Sequence, residues 1–453
     1  MVVDVVLSDC KLLINGQAVE GGLAIDDEKI VGISKQAHLP AADRTIDLKG
    51  RIVMPGGIDI HPHFFDPEFM GNRDDFESGT LAAAMGGLSS IVEMPTWTPC
   101  LTKDRMEFKA KEGEKRSYID FGLHCGNVRT LEDLKEIERL VSIGIVSFKA
   151  FTCAPYLADD FVLLSLMQLL GRRGILMVHS ENEAIVENET KKLRDQGRKD
   201  PSAFHESRPN LAEEEAISRI STLAKSSSSS IHVVHMSTAG GKEVVQRGKE
   251  SGIDISAETC PHYLVYTKDD VQRLGPYLKM SPPARNAEDR EALWLGLKDG
   301  TIDMVASDHY PTFKEHREKG WNDIWEVMSG LPGVETMMPV LISEGFNKGR
   351  LSLADVSRVM SENPSKRFGL HPRKGTIRIG ADADLVAVDI DKEWQIRSDK
   401  LHQRSDWTPF EGFNVKGSIE MTMVRGHVIV MEGEIQEKPG FGKFLPRHLE
   451  GAA

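Results

Sequence analysis

The sequence predicts an α/β protein: a TIM-type (β/α)8 barrel with a small β-sandwich domain formed by both chain ends. Three observations lead there. Both ends are rich in short alternating strands, and the middle alternates apolar strand-like runs with helical stretches. The 453-residue length also leaves room for a barrel, which takes about 250 residues or more, and one further unit.

The elements support this in order. Near the start come VVDVVLSDCKLLI, an Asn-Gly turn, QAV, EGG, LAIDDEKIVGIS and TIDLKGRIVMPG. Period-2 alternation punctuated by Gly or Asn-Gly is hairpin chemistry. The tail, with GTIRIGADADLVAVDID and SIEMTMVRGHVIVMEGEIQ, has the same texture, so residues 1–53 and 375–453 are assigned to the small domain and 54–374 to the barrel. Within the barrel the apolar runs are IVMPGGIDIH, SSIVEM, IDFGLHC, VSFKAF, ILMVHS, IHVVHMS, DISAETC and DMVASDH. LEDLKEIERLVSIG and EEEAISRISTLAKS read as helices between them, and KSSSSS at 225–230 as a solvated helix-to-strand connector. No repeat of solenoid period is present.

Composition narrows the function. Hydrophobic residues at 40% and charged residues at 28% suit a globular chain and exclude wholesale disorder. A net charge of −13, from 56 basic and 69 acidic residues, with no long basic cluster, argues against a nucleic-acid partner or an anionic membrane surface. No apolar run approaches the ~18 residues of a membrane span, and the first residues lack the basic region of a secretory signal. The cysteines at 10, 100, 125, 153 and 260 are scattered without a CxxC, which reads as reduced thiols in the cytoplasm.

The chemistry-bearing residues sit where strands end. His61 and His63 are two apart after an apolar strand, so both imidazoles point the same way, toward the mouth at the C-terminal end of a barrel. Alone, HxH is a weak signal and fits a pair of surface histidines. Other strands, however, end in His179, His235 and Asp308, all types that bind divalent metals. His232 is three residues before His235, so the two face oppositely; His235 is the candidate ligand and His232 is assigned to structure. His262 and His309 adjoin the mouth, and both direct ligation and hydrogen bonding to a ligand stay open for them. Lys149, ending the run VSFKAF, has two readings: a rim lysine with a snorkelling stem, or an amine that has added carbon dioxide to become an anionic ligand bridging two metals.

The motifs MPGGIDIHPH, DDFESGTLAAAMGG, SFKAF, VHSEN, HVVHMST, AETCPHYL, KMSPPAR, ASDHYP and KGTIRIGADADLVAVD make the chain resemble, over its full length, the cyclic amidohydrolases: hydantoinases, dihydropyrimidinases, allantoinases and dihydroorotases. The resemblance implies a binuclear site. His61, His63 and Asp308 would hold one divalent ion and His179 and His235 the other, with carboxylated Lys149 as the bridge. The family usually carries zinc, with manganese, cobalt or iron as alternatives. The metals lower the pKa of a water, and Asp308 takes its proton and passes it to the leaving ring nitrogen. The resemblance further implies a small cyclic amide as substrate and a homo-oligomer, commonly a tetramer.

Departures from the family pattern narrow the substrate. A dihydroorotase pattern places Arg two residues after HxH and an Asn in an MPNT-like motif; here stand Phe65 and Met94–Pro95–Thr96–Trp97. Losing a bidentate carboxylate clamp disfavours dihydroorotate. The tyrosine that dihydropyrimidinases and D-hydantoinases place five residues after the bridging lysine is Ala154 here; either Tyr156 replaces it or the donor is missing. The stretch KGWNDIWEVMSGLPGVETMMPVLISEGFNKGRLSL is most like L-hydantoinases. Phe64, Phe65, Phe69, Trp97, Phe151 and Tyr156 read either as barrel packing or as a pocket wall. As a wall, they suit an apolar 5-substituent on a hydantoin better than the polar ureido group of allantoin. By resemblance, Ser281 and the backbone near Pro332 hydrogen-bond the ring amide. The expected activity is therefore a hydantoinase, with an allantoinase next. Dihydropyrimidinase and dihydroorotase follow, and a non-catalytic dihydropyrimidinase-like interaction protein is disfavoured by the complete ligand set.

Overall fold

Eight short parallel strands ring the centre of the protein: Gly57–Asp59, Leu88–Glu93, Asp120–Leu123, Ser147–Phe151, Ile175–His179, Ser230–Val233, Ile255–Thr259 and Met304–Val305. They belong to a computed structural model that describes residues 2–64, 73–95 and 100–449. The strands pair in chain order in a group of three and a group of five. Parallel bridges from Cys125 to Phe148 and from Pro62 to His309 join the groups, so the barrel closes. Each apolar run read from the sequence supplies one strand. The first run divides, however: its front half ends the long strand Ala41–Pro55 of the other sheet, and only Gly57–Asp59 enters the barrel. The crossing is at Gly56 and Gly57, where an added Cβ would lie 2.4 Å from Ser89 Oγ and 2.6 Å from Leu88 Cδ2. A side chain there would displace its neighbours, which suits glycine to the close approach.

Helices cover the barrel through apolar stripes. Asn210–Ser227 buries Ala212, Ala216, Ile217, Ile220 and Ala224, a spacing of three and four residues. Its end bears out part of the reading of the serine tract as a solvated helix-to-strand connector, with Lys225, Ser226 and Ser228 exposed, and corrects its extent. The helix runs through Ser227, Ser228 takes the left-handed region at φ +53°, and the next strand starts at Ser230. Ser227 Oγ bonds back to the Leu223 carbonyl at 2.8 Å, and buried Ser229 Oγ reaches the Met167 carbonyl at 2.7 Å. A hydroxyl that bonds back to a carbonyl one turn earlier, as Ser227 does, lets a serine end a helix without a bare polar group.

The two chain ends form one eight-stranded sheet. From edge to edge its strands are Glu434–Ile435, His427–Met431, Asn414–Val424, Leu385–Gln395, Ala41–Pro55, Val2–Ile14, Gln17–Asp26 and Lys29–Ser34. All pairs are antiparallel except Val2–Ile14 with Ala41–Pro55. The Asn15–Gly16 turn has φ +48° and +78°, the primed hairpin geometry that Asn-Gly favours. Leu7, Leu23, Leu385 and Met421, from both chain ends, share one buried cluster. The end of the chain then returns to the barrel, where Leu445 N–H donates to the Phe121 carbonyl at 2.7 Å.

A buried charge cluster ties sheet to barrel. Lys374 Nζ lies 2.6 Å from Asp120, 2.7 Å from Asp384 and 3.0 Å from Asp382. Burial opposes the charge on Lys374, but the three carboxylates outweigh it and push its pKa up. Removing one partner of such a cluster strands like charges in a dry interior. Lys374→Met is expected to cost about 3–5 kcal/mol, seen as a lower denaturant midpoint, while Lys29→Met at the exposed edge of the cluster should cost about 1 kcal/mol or less.

Candidate metal centre

The shared direction of the strands brings six chemistry-bearing side chains to one end of the barrel. His61 and His63 follow the first strand, Lys149 is inside the fourth, His179 ends the fifth, His235 lies just past the sixth and Asp308 past the eighth. All six line one cavity of about 270 Å³. His235 and Asp308 take φ +39° and +45°. Strained backbone of this kind in non-glycine residues clusters at functional sites and costs about 1–3 kcal/mol each.

The six fall into two adjoining groups. Asp308 Oδ1 lies 3.6 Å from His61 Nε2 and 3.4 Å from His63 Nε2. His179 Nδ1 lies 3.0 Å from His235 Nε2. Lys149 Nζ is 3.5 Å from His61 Nε2 and 5.0 Å from the centre of the Phe151 ring, which stacks on His179. A tetrahedral ion with bonds of about 2.1 Å sets its ligands about 3.4 Å apart, so the first group has a metal's spacing.

The outer ring nitrogens fix which inner ones are free. His61 Nδ1 faces the Glu258 carboxylate, His63 Nδ1 the Met94 carbonyl at 3.0 Å, and His179 Nε2 the Glu181 carboxylate at 2.8 Å. An imidazole donating outward turns a lone pair inward, the pattern that carboxylate- and carbonyl-backed histidines use to hold metals. Burial favours the neutral ring in three of the histidines: His63 is pushed down to about 4, His179 is lowered, and His235 falls well below the usual range by burial and then by His179 and Lys149. Burial alone would raise Asp308, but its contact with His63 and the imidazoles of His61 and His63 beside it hold it low and ionised. Burial also lowers the Lys149 amine to about 8. Neutral imidazoles beside an ionised carboxylate are the state that divalent cations take. His235 Nδ1 is buried without a hydrogen-bond partner among the described residues. The donor set therefore fits metal ions.

The other residues singled out in the sequence separate. His232 is structural, bonded to Ser256 Oγ at 2.7 Å and Glu258 at 3.0 Å. His309 lies behind the cavity, where its Nδ1 accepts the Gly333 and Val334 N–H groups at 3.1 and 3.3 Å, and His262 packs on Tyr263. Ser281, Phe151 and Tyr156 line the cavity, and Ala154 does too. Pro332 does not; that segment presents Ser329 and Gly330 instead. Phe64 turns into the core against Phe76. Phe65, Phe69 and Trp97 lie outside the described residues. Sequence reasoning missed Glu258, Glu181, Arg208 and Tyr310. Glu181 accepts from both His179 and Arg208, and Arg208 and Tyr310 form part of the wall. The signal available was a glutamate inside each of the motifs VHSEN and AETCPHYL.

Known proteins match this chain over nearly its whole length. Residues 52–429 match the model of the amidohydrolase family. An L-hydantoinase of Paenarthrobacter aurescens is 37% identical over 451 residues, covering 98% of each chain. An allantoinase of Solibacter usitatus (strain Ellin6076) is 36% identical, covering 97% of this chain and 98% of its own. The solved structure of an L-hydantoinase (dihydropyrimidinase) from Arthrobacter aurescens superposes with a TM-score of 0.93 at 37% identity, over 98% of this chain and 100% of that one.

Proposed function

The chain belongs to the amidohydrolase family, and from that premise we propose that it opens a 5-substituted hydantoin to an N-carbamoyl amino acid at a binuclear metal centre. The broader activity, hydrolysis of a carbon–nitrogen bond in a cyclic amide, follows from hydantoinase and allantoinase relatives matched over nearly the whole chain. The metal dependence follows from the family and from His61, His63 and Asp308, three buried ligand types gathered within 4.8 Å.

In this reading His61, His63 and Asp308 would hold one ion, His179 and His235 the other, and a carboxylated Lys149 would be shared between them. Two divalent ions, zinc or else manganese, cobalt or iron, would supply a water of lowered pKa and a Lewis acid for the ring carbonyl. Asp308 takes the proton from the attacking water and returns it to the leaving ring nitrogen. Ser281, with the Ser329–Gly330 segment beside Pro332, offers hydrogen bonds to the ring amide. Tyr156, which lines the cavity with its ring 5.2 Å from that of Phe151, is the proposed donor to the developing oxyanion. Phe65 and Trp97 complete the set of expected substrate contacts. The division into 1–53 plus 375–453 and 54–374, a homotetramer and a cytoplasmic location belong to the same reading; no helix among the described residues is long and apolar enough to cross a membrane.

The observation that carries the substrate is the wall. Phe151, Pro155, Tyr156 and Met328 give it an apolar face next to the ligand groups. Arg208, also in the wall, favours allantoin as the second reading, because a guanidinium can donate to a ureido carbonyl. The test follows ring opening by protein loaded with zinc, manganese or cobalt. The rings are allantoin, both enantiomers of 5-benzyl- and 5-methylhydantoin, dihydrouracil and dihydroorotate. Aryl hydantoins are expected to turn over fastest. Preference for allantoin would replace the first reading with the second, and silence on every ring would overturn both.

A further inference from the structure

Two buried cations stand behind the cavity wall with no carboxylate in salt-bridge contact among the described residues. Lys279 is 5% exposed and Arg317 0%, and neither forms an ion pair among the described residues. Both are spent on backbone carbonyls. Lys279 Nζ donates to Ile324 at 2.7 Å and to Val327, and lies 4.7 Å over the Phe204 ring. Arg317 donates to the carbonyls of Pro276 at 3.3 Å, Lys279 at 3.2 Å and Gly330, and its Nε to Thr312 Oγ1 at 3.1 Å. The backbone closes the same circuit, with Gly330 N–H on the Lys279 carbonyl at 3.0 Å. The segment so held, 324–330, ends in Met328, Ser329 and Gly330, which form cavity wall, and Ser329 Oγ meets Ser281 Oγ at 3.0 Å.

We propose that Lys279 and Arg317 are positioning residues that fix the 328–330 wall against Ser281, and that the charge on Lys279 sets how tightly this wall holds the substrate ring. The second half rests on the cyclic-amide reading of the cavity. Irregular backbone crossing a buried region needs a donor for each carbonyl, and charged donors make bonds roughly twice as strong as neutral ones. Burial pulls the Arg317 guanidinium down, to about 9, which still leaves it charged through neutrality. Lys279 loses its charge there. Burial, then the charges of Arg317, Arg208 and Arg194, lowers it to about 7, with Asp323 the acid that opposes them. His205 and His316 also face it. Below that pH the ammonium grips the Ile324 and Val327 carbonyls. Above it a neutral amine holds them more weakly, so the wall loosens and KM rises with pH.

The experiment compares wild type, Lys279→Arg and Lys279→Met as metal-loaded proteins, from about pH 6 to about pH 9, on the ring turned over best. In wild type KM should rise about three- to tenfold through neutrality while kcat follows the metal centre. Lys279→Arg should keep the low KM without that step. Lys279→Met should show a pH-independent KM about tenfold higher, with kcat within about twofold and metal content unchanged. Ionisation of the substrate is common to all three and cancels in the comparison. The same step in Lys279→Arg as in wild type, or loss of kcat and metal in Lys279→Met, would overturn the proposal. Hydrogen exchange of the 324–330 backbone in free protein gives a readout without substrate. Protection, corrected for the intrinsic rate, should fall in Lys279→Met and in wild type above neutrality, and persist in Lys279→Arg. Should no ring be opened while exchange behaves this way, the cyclic-amide reading fails and the positioning role stands; unchanged exchange in Lys279→Met removes that role.

Discussion

Lys149→Ala is expected to abolish cyclic-amide hydrolysis and metal retention together. Lys149 is buried in the middle of the fourth barrel strand and forms no ion pair among the described residues. A bare ammonium there, 3.5 Å from His61 Nε2 and beside the His179–His235 pair, would repel the cations those rings are arranged to hold. Converted to a carbamate, the same side chain becomes an anionic ligand to both groups, which reverses the sign of its contribution. Removing it leaves four imidazoles and one carboxylate for two divalent ions. The loss should be several kcal/mol of transition-state stabilisation, roughly a thousandfold or more in rate. Metal analysis after dialysis should show fewer than two ions per chain. Formate, acetate or propionate should partly restore both properties, since alanine leaves a space the size of the lysine stem and a small carboxylic acid can occupy it. A Lys149→Ala protein that keeps two metals and full activity without such rescue would falsify the bridging role.

Much of this site was legible in the sequence because a barrel converts chain position into spatial position. A polar residue at the C-terminal end of an apolar run lies at the mouth, so His61, His63, His179, His235 and Asp308 could be gathered before any coordinates. The opposite facing of His232 followed from strand period alone, and its bonds to Ser256 and Glu258 agree. What could not be read were contacts between residues far apart in the chain that share no periodicity. Glu258 meets His61 across 197 residues, and in sequence it is one acid in an ordinary strand. Lys279 and Arg317 offer no pattern at all, because their partners are backbone carbonyls, and any residue supplies those. The serine tract misled in part because composition reports polarity, whereas Ser227 satisfies its hydroxyl on the local Leu223 carbonyl and Ser229 on that of Met167, 62 residues earlier. Phe64 shows the limit for aromatics: one residue after a ligand, it packs inward on Phe76.

Glu258→Gln should weaken both metal positions at once, whereas Glu181→Gln should weaken one. Glu258 is fully buried, and its Oε1 accepts from the His61 ring and from the His235 backbone N–H at 3.2 Å, while Oε2 meets His232 Nε2 at 3.0 Å. One carboxylate therefore sets the ring orientation of a ligand in the first group and the strained backbone of a ligand in the second. Burial would raise its pKa, but His61 and His232 outweigh that and hold it ionised. Glutamine keeps the shape but replaces one acceptor oxygen with a donor. If its NH2 faces His61, that ring must move its proton to Nε2, the nitrogen that faces Asp308. If it faces His232, the buried His232 ring must change tautomer or lose its bond. Either outcome disturbs ligand geometry without deleting a ligand, and such changes typically cost about 10–100-fold in metal affinity. Glu181 touches only His179 among the ligands, so its amide variant should lose the second ion and retain the first. Metal stoichiometry during stepwise chelation separates the cases: both ions leave early from Glu258→Gln, one from Glu181→Gln. Activity of Glu258→Gln should recover in excess metal, because the ligands themselves remain. Wild-type metal affinity in Glu258→Gln would mean that the barrel walls alone orient His61, and that the shared carboxylate serves only to neutralise His232.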